Sequence, residues 1–183
     1  MAGGVVGLAV VAGSYYFLTG DGSTASSSGA SSEDQHRARS GSIEASDKYP
    51  GGKLDIFFGS QTGTSEGFAR IVMEEGKERG FNAEMIDLED FDVEDFRNKP
   101  KNAIFLMATY GEGEPTDNSH KFYNFIKPDS DEHDKAAIGD LSQMKYTVFG
   151  LGNRQYEHFN RMGKTTNSYL ERLGAQRVAT YGE

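Results

Sequence analysis

KLDIFFGSQTGTSE, residues 53–66, joins a short apolar run to a loop made almost entirely of glycine, serine and threonine. The largely apolar run Leu54–Phe58 has the length of a buried strand. Beyond the loop, apolar residues recur at helical spacing from Ser65 to Arg79, and Gly80 can end that helix. A strand, a tight loop and a helix in this order predict the first unit of an α/β fold.

The alternation of strands and helices continues to the end of the chain. Two more helices are predicted, one that Thr116 or Asp117 can cap and one over residues 161–173. Four more segments have the pattern of strands, namely Phe81–Leu88, Asn102–Ala108, Lys145–Gly150 and Gln176–Tyr181. Because such strands are apolar on both faces, we predict an α/β fold with a doubly wound, five-stranded parallel sheet. Such a sheet binds its ligand beyond the carboxyl ends of its strands.

The N-terminal part of the chain differs in composition from this domain, which we place at residues 53–183. Residues 2–18 carry no charged side chain, and a helix of that length rises about 26 Å against a hydrocarbon core of ~30 Å. We therefore expect a membrane anchor at residues 1–20, although an unanchored N-terminus fits the residues almost as well. Residues 21–52 are rich in serine, glycine and alanine, which predicts a flexible linker.

Charge and cysteine content exclude several classes of function. The 183 residues carry a formal net charge of −9, which disfavours nucleic acid and suits a basic protein partner. The sequence has no cysteine, which excludes disulfides, iron–sulfur clusters, thiolate haem ligation and cysteine nucleophiles from this segment. The acidic cluster at residues 129–134 lacks the spacing of a calcium loop, so we predict a solvated loop and no metal site.

The loop after the first strand, Ser60–Ser65, has the composition of an anion-binding turn. Small residues allow several backbone N–H groups to point at one anion, and the hydroxyls and the following helix N-terminus add donors. No lysine or arginine lies in this loop, so the Walker pattern for a nucleoside triphosphate is absent. We predict that neutral donors hold one terminal phosphate there. The alternative is a plain tight turn with a serine cap.

Two later loops add aromatic side chains at the same predicted edge. ATYGEGEPTDN, residues 108–118, places Tyr110 beside a flexible Gly-Glu-Gly turn, and a flat heteroaromatic ring can stack on that tyrosine. It could equally be a surface turn that happens to contain tyrosine. GLGNRQYEHFN, residues 150–160, supplies Tyr156 for the opposite ring face. This last loop begins like a dinucleotide fingerprint, but Gln155 stands where the third glycine is required.

The loop sequences SQTGTSE, MATYGEGEPTDN and FGLGNRQYEHFN, in this order, closely resemble the NADPH–cytochrome P-450 reductase family from about Leu54 onward. The resemblance implies a flavodoxin-like domain that binds FMN in preference to FAD. Tyr110 would stack on one ring face, Tyr156 would shield the other, and the Gly111 backbone would lie near a ring nitrogen. The implied FMN-binding set is Ser60, Gln61, Thr62, Gly63, Thr64, Ser65, Ala108, Thr109, Tyr110, Gly111, Leu151, Gly152, Asn153, Arg154, Gln155, Tyr156, Glu157, His158, Phe159 and Asn160.

The same resemblance implies partners and a location. In that family, an FAD- and NADPH-binding domain supplies electrons to the FMN domain, which passes them singly to a haem protein such as cytochrome P-450. An N-terminal helix anchors the family to the endoplasmic reticulum membrane with the globular domain in the cytosol, which favours the anchor at residues 1–20. The family's acidic loop, its covering helix and its FAD and NADPH domains do not follow Glu183. We therefore expect that this chain alone does not oxidise NADPH.

No side chain is predicted to act as a catalytic acid, base or nucleophile, because a flavin itself carries the electrons. Two other functions stay open: a stand-alone flavodoxin-type electron carrier, and a non-functional fragment. The sequence departs from the family at Gln155 and Arg161, where threonine and alanine are more common.

Overall fold

The structure, a computed structural model, describes residues 48–98, 102–128 and 141–183. The predicted anchor at residues 1–20, most of the linker at 21–52 and the acidic cluster at 129–134 lie outside the described residues. Within those three ranges, no helix is long and apolar enough to cross a membrane. In the same ranges, no group of three or more His, Asp or Glu side chains is arranged to hold a metal ion.

Strands and helices alternate along the chain largely as the sequence predicts, and the structure adds a short helix at Val93–Asn98 that the sequence pattern did not predict. The strands are β1 (Gly52–Gly59), β2 (Phe81–Asp87), β3 (Asn102–Tyr110), β4 (Glu114–Pro115), β5 (Lys145–Leu151) and β6 (Gln176–Arg177). The helices are α1 (Thr64–Glu78), α2 (Val93–Asn98), α3 (His120–Ile126) and α4 (Arg161–Arg172). Short 3-10 turns at Leu88–Asp90 and Asp117–Ser119 precede α2 and α3.

The sheet has the strand order β2-β1-β3-β5-β6, and neighbouring strands along this path are parallel. The short strand β4 pairs antiparallel with the end of β3. From β1 the chain moves outward to β2 and then returns to place β3 on the other side of β1. This reversal creates a switch point between β1 and β3, where open α/β sheets bind ligands. The predicted doubly wound parallel sheet is confirmed.

Helices cover both faces of this sheet. On one face, the buried residues Ala69 and Val72 of α1 pack against β1 and β2. On the other face, α3 and α4 cover an aromatic cluster in which the Phe105 ring stacks between those of Phe57 and Phe122, with centroids 5.0 and 5.5 Å apart. The strands β1 and β3, which form the switch point, are therefore covered on both faces.

The last predicted strand, Gln176–Tyr181, is only partly right. Regular pairing ends when Arg177 faces Tyr146, and the next bridge joins Gly182 to Phe149. Five steps along the last segment thus match three steps along β5, so two extra residues bulge from the sheet. Within this bulge, the Tyr181 hydroxyl fills the space where a Cβ on Gly150 would lie.

Thr116 stands before the turn that leads into α3, as the sequence predicts, but its side chain does not cap a helix. No side-chain cap bonds to the backbone N–H groups there. The Thr116 hydroxyl instead donates to Asn118 Oδ1 at 2.7 Å and lies 2.9 Å from the Ser119 hydroxyl. These hydrogen bonds fix the conformation of the turn, which lies at the ligand edge of the sheet.

Candidate functional site

The three loops that the sequence singles out meet at one edge of the sheet. β1 and β5 both pair with β3, so the carboxyl ends of these three strands lie side by side. The loop after β1 contains Ser60–Gly63, the turn after β3 contains Gly111–Gly113, and the loop after β5 contains Gly152–Asn160. The common edge is thus built by parallel pairing.

Residues 60–65, which we call the phosphate loop, are held in shape by a distant asparagine. The Ser60 N–H donates to Asn118 Oδ1 at 2.9 Å, and the Ser65 N–H donates to Ser60 Oγ at 3.2 Å. Asn118 Nδ2 in turn donates to Asp87 Oδ1 at 2.7 Å. Gly63 adopts a left-handed conformation with φ of +81°, which lets the chain turn into α1. The loop is therefore fixed by contacts with β2 and the turn before α3.

Four successive backbone N–H groups of this loop, at residues 61–64, have no acceptor within the described part of the chain. The Ser65 hydroxyl is also buried there with no hydrogen-bond partner. Buried polar groups are almost always satisfied in native proteins, so the buried Ser65 hydroxyl without a partner indicates a bound group, and the amides of the exposed residues 61–64 are open to the same group. The positive end of the α1 dipole adds to the attraction for an anion. The residues therefore fit a phosphate.

The side chains of the loop divide into two groups. Gln61 is engaged with Asp117, since Gln61 Nε2 donates to the carboxylate at 2.7 Å and Gln61 Oε1 accepts the Asp117 N–H at 3.1 Å. The hydroxyls of Thr62 and Thr64 are exposed and lie 3.3 Å apart. The side chain of Gln61 thus braces the loop, whereas the two threonine hydroxyls are available to an anion.

A cleft of about 440 Å³ lies between the turn after β3 and the loop after β5. This volume is in the range of small-molecule sites. We call it the ring cleft, and its lining residues are Thr109, Tyr110, Gly111, Glu112, Gly152, Asn153, Tyr156, His158, Phe159 and Asn160. Every one of these residues except Glu112 belongs to the predicted FMN-binding set.

Tyr110 and Tyr156 are the two tyrosines of this cleft, and both are unusually exposed. Tyr110 is 50 % exposed and Tyr156 is 70 % exposed, and only Ile71 joins them among the exposed large hydrophobic side chains of the described residues. Aromatic faces left open on opposite loops of one cleft are suited to stacking on a planar ring. The ring cleft therefore fits a flavin ring.

The loop after β5 is folded on itself and ends at Asn160. The Asn153 side chain accepts the Gln155 N–H at 2.9 Å, and the Asn153 carbonyl accepts the Tyr156 N–H at 3.0 Å. Asn160 has φ of +52°, is buried, and carries a side-chain oxygen without a partner. Its carbonyl accepts the Tyr181 hydroxyl at 3.5 Å, and burial raises the pKa of Tyr181 to about 12. Tyr181 thus remains a neutral donor beneath this loop.

Some predicted residues do not face the ring cleft. Leu151 packs against the core under α1, and Arg154 lies over the Phe159 ring at 5.9 Å. Ala108, Gln155 and Glu157 are likewise absent from the lining of the cleft. The structure therefore places these five residues outside the lining of the cleft, and it brings the remaining predicted ring-site residues together.

Two residues outside the predicted FMN-binding set have a clear structural role. Asn118 holds the phosphate loop, and Glu112 lines the ring cleft, where its carboxylate lies 3.8 Å from His158 Nε2. Both stand inside the quoted segment of residues 108–118. Their polar side chains, next to Tyr110 in a loop that follows a buried strand, were the available signal.

Comparison with known proteins agrees with this geometry. Residues 56–183 match the flavodoxin family. The chain belongs to that family. Its solved relatives include oxidised flavodoxin 1 from Bacillus cereus, with a TM-score of 0.60 and 22 % identity over 71 % of this chain and 82 % of that one. That likeness shows the same fold. Flavodoxins bind FMN at the switch point between β1 and β3, which confirms the predicted cofactor.

Curated relatives at higher identity are named NADPH–cytochrome P450 reductase. One from Aspergillus fumigatus is 46 % identical over 134 residues, and one from Sus scrofa is 43 % identical over 139 residues. These alignments cover 70 % and 74 % of this chain but 19 % of each relative. The predicted resemblance is therefore confirmed, and the chain spans about a fifth of the length of these relatives. The match identifies an FMN domain of the kind found in that reductase.

Proposed function

We propose that this chain is the FMN-binding, electron-transferring module of an NADPH–cytochrome P-450 type reductase. An FAD- and NADPH-binding domain supplies electrons, and a haem protein of the cytochrome P-450 type accepts them one at a time. The observation that carries the proposal is a ring cleft walled by exposed Tyr110 and Tyr156, beside a loop of unpaired amide donors. The identity to reductases supports this choice of reaction.

Bound FMN supplies one-electron chemistry that amino-acid side chains lack. The role of this chain is to bind the cofactor and to orient it. The amides of residues 61–64 and the Ser65 hydroxyl would hold the phosphate, which fixes one end of the cofactor. Tyr110 and Tyr156 would exclude water from the two ring faces. The backbone of Gly111, with φ of +48°, would lie at the ring edge, where a glycine peptide can turn either its N–H or a carbonyl toward the ring.

Exposed carboxylates lie around the two halves of the site. Glu112 is 92 % exposed at the ring cleft, Glu114 is exposed in β4, and Asp117 is exposed beside the phosphate loop. Together with the net charge of −9, they favour an acceptor with a basic surface. Electron transfer to such an acceptor would slow as the salt concentration rises, because salt screens charges at the surface.

The proposal is tested by giving the chain a separate electron donor. The full chain is loaded with FMN and mixed with NADPH, cytochrome c and a separate FAD/NADPH-binding module. We expect cytochrome c reduction only when that module is present. If dithionite reduces the bound FMN but the FAD/NADPH-binding module does not, the stand-alone carrier would be favoured instead. Rapid NADPH-dependent reduction by the chain alone would contradict the proposal.

We also propose that residues 1–20 anchor the chain in the endoplasmic reticulum membrane, with the FMN domain in the cytosol. The support is the uncharged segment at residues 2–18 and the family resemblance. The full chain should resist extraction from membranes by alkaline carbonate, whereas a chain that begins at Lys53 should be released. Equal release of the two chains would contradict the anchor.

A further inference from the structure

The side chain of Arg161 crosses from one wall of the ring cleft to the other. Arg161 is the first residue of α4, directly after the loop that carries Tyr156. Its Nη1 donates to the backbone carbonyl of Glu112 at 3.4 Å, in the turn that carries Tyr110. Arg161 thus bonds to a backbone group 49 positions earlier in the chain.

The aliphatic part of the same side chain packs on this turn. Gly113 has φ of +92° and is buried, although the residues on either side of it are exposed. A Cβ built on Gly113 would come within 2.6 Å of Arg161 Cδ and 2.9 Å of His158 Cβ. The absence of a side chain at Gly113 therefore lets Arg161 lie flat against the turn. A charged side chain commonly buries its methylene groups in this way while its head stays in water.

Two other contacts join the same pair of loops. The Met162 N–H donates to Thr109 Oγ1 at 3.1 Å, and His158 Nε2 lies 3.8 Å from the Glu112 carboxylate. The first contact fixes the base of the cleft, at the end of β3. The second lies at the exposed rim, where a charge pair contributes little. The backbone of the turn itself, between base and rim, is contacted by Arg161.

We propose that Arg161 is a positioning residue of the ring cleft, which holds the turn at residues 110–113 and so sets the separation of Tyr110 and Tyr156. This inference rests on the proposed function, since that separation matters only when a ring binds between the tyrosines. The single hydrogen bond and the packing on Gly113 carry the effect. An alanine at this position has neither the donor nor the length to reach the Glu112 carbonyl.

The test is flavin binding by the full chain with Arg161→Ala. We expect FMN and riboflavin to lose about fivefold to tenfold in affinity alike, because the change concerns the ring and leaves the phosphate loop intact. The fluorescence of bound flavin should also be quenched less, since quenching requires close stacking on tyrosine. Arg172→Ala removes the same charge from the exposed far end of α4, and it should change neither quantity.

Two further variants separate positioning from a loss of structure. Arg161→Lys keeps the charge, a donor and the methylene groups that lie on Gly113, and its side chain is only one atom shorter than that of arginine, so part of the affinity should return. Gly113→Ala should weaken binding more in the wild-type background than beside Arg161→Ala, because its Cβ meets the Arg161 side chain. The backbone strain of an alanine at this φ is common to both backgrounds and cancels in the cycle.

Two results would overturn the inference, provided that the wild-type protein binds FMN. One is that Arg161→Ala binds flavin and quenches its fluorescence as the wild type does. The other is that the effects of Gly113→Ala and Arg161→Ala on affinity simply add, without coupling. Wild-type protein that binds neither FMN nor riboflavin would refute the proposed function itself, and the inference with it.

Discussion

The phosphate loop and the ring cleft lie at one edge of the sheet but are built in different ways. The phosphate loop presents backbone N–H groups, and its shape is fixed by Asn118 and by the Gln61–Asp117 pair. The ring cleft presents the exposed side chains of Tyr110 and Tyr156, which stand on two separate loops. One half of the site is preformed backbone, and the other half is made of side chains on loops that must be held together.

Because of this difference, the binding of two flavins in solution can distinguish the two halves of the site. A change in the phosphate loop should weaken FMN and leave riboflavin, which lacks the phosphate, almost unaffected. A change in the ring cleft should weaken both flavins by the same factor. The ratio of the two affinities therefore reports the phosphate loop alone.

The largest effect is expected from Thr62→Asp, which places a carboxylate beside the unpaired amides of residues 61–64. The carboxylate would accept those N–H groups and repel the phosphate. Two like charges about 5 Å apart at an effective dielectric constant near 20 repel by roughly 3 kcal/mol, which corresponds to about a 100-fold loss of FMN affinity. Titration of flavin-free protein with FMN measures it.

Riboflavin is the matched control ligand for this variant. Its affinity should stay within about twofold of wild type, because the ring cleft is unchanged. An equal loss for FMN and riboflavin would show that Thr62→Asp disturbs the whole edge, and the proposed division into two halves would then be wrong.

A smaller effect is expected at the tyrosines. Tyr110→Ala and Tyr156→Ala should each weaken FMN and riboflavin alike by about 1 kcal/mol, because a stacking contact is worth roughly this much. Fluorescence titration measures both ligands, and Tyr49→Ala serves as a control outside the cleft. Unchanged affinity in both variants would place the ring somewhere else.

The last effect concerns the pH dependence of the free energy of unfolding, and so the support beneath the ring cleft, and it leaves flavin binding aside. Burial raises the pKa of Tyr181 and that of Tyr146 to about 12, from an ordinary value of 10.0. The folded protein therefore holds these protons more tightly than the unfolded chain does. The resulting stability is fully present below pH 10, and it is lost as the pH rises from about 10 to about 12.

Urea unfolding of the flavin-free protein at about pH 9 and about pH 11 measures this loss. Tyr181→Phe should lose less stability between the two pH values than wild type does, since one of the two protons is gone. An identical pH dependence in wild type and Tyr181→Phe would show that Tyr181 is not buried beneath the loop.

Local patterns were sufficient to predict most of the fold. Apolar runs such as Asn102–Ala108 locate buried strands because both faces of a parallel sheet are covered. The bulge before Gly182 was not predictable, since it depends on pairing with β5 and not on the residues of the last segment themselves.

The candidate site shows the same division. Loop composition was sufficient to predict that Tyr110 and Tyr156 would meet at one edge of the sheet, because both tyrosines follow buried strands. The rest of the FMN-binding set came from the family resemblance, and it stays a prediction. The supports were missed: Asn118 meets Ser60 across 58 positions, and Arg161 meets Glu112 across 49. Such contacts follow from strand order, which brings separate loops to one edge, and no local pattern contains them.

The most direct test of the central claim is a parallel titration of the flavin-free full chain with FMN and with riboflavin. Both ligands offer the same ring to Tyr110 and Tyr156, and they differ in the phosphate that the loop at residues 60–65 would hold. If several amide donors bind that phosphate, FMN should bind about 100-fold more tightly than riboflavin. Equal affinities for FMN and riboflavin, or tighter binding of FAD than of FMN, would contradict the account.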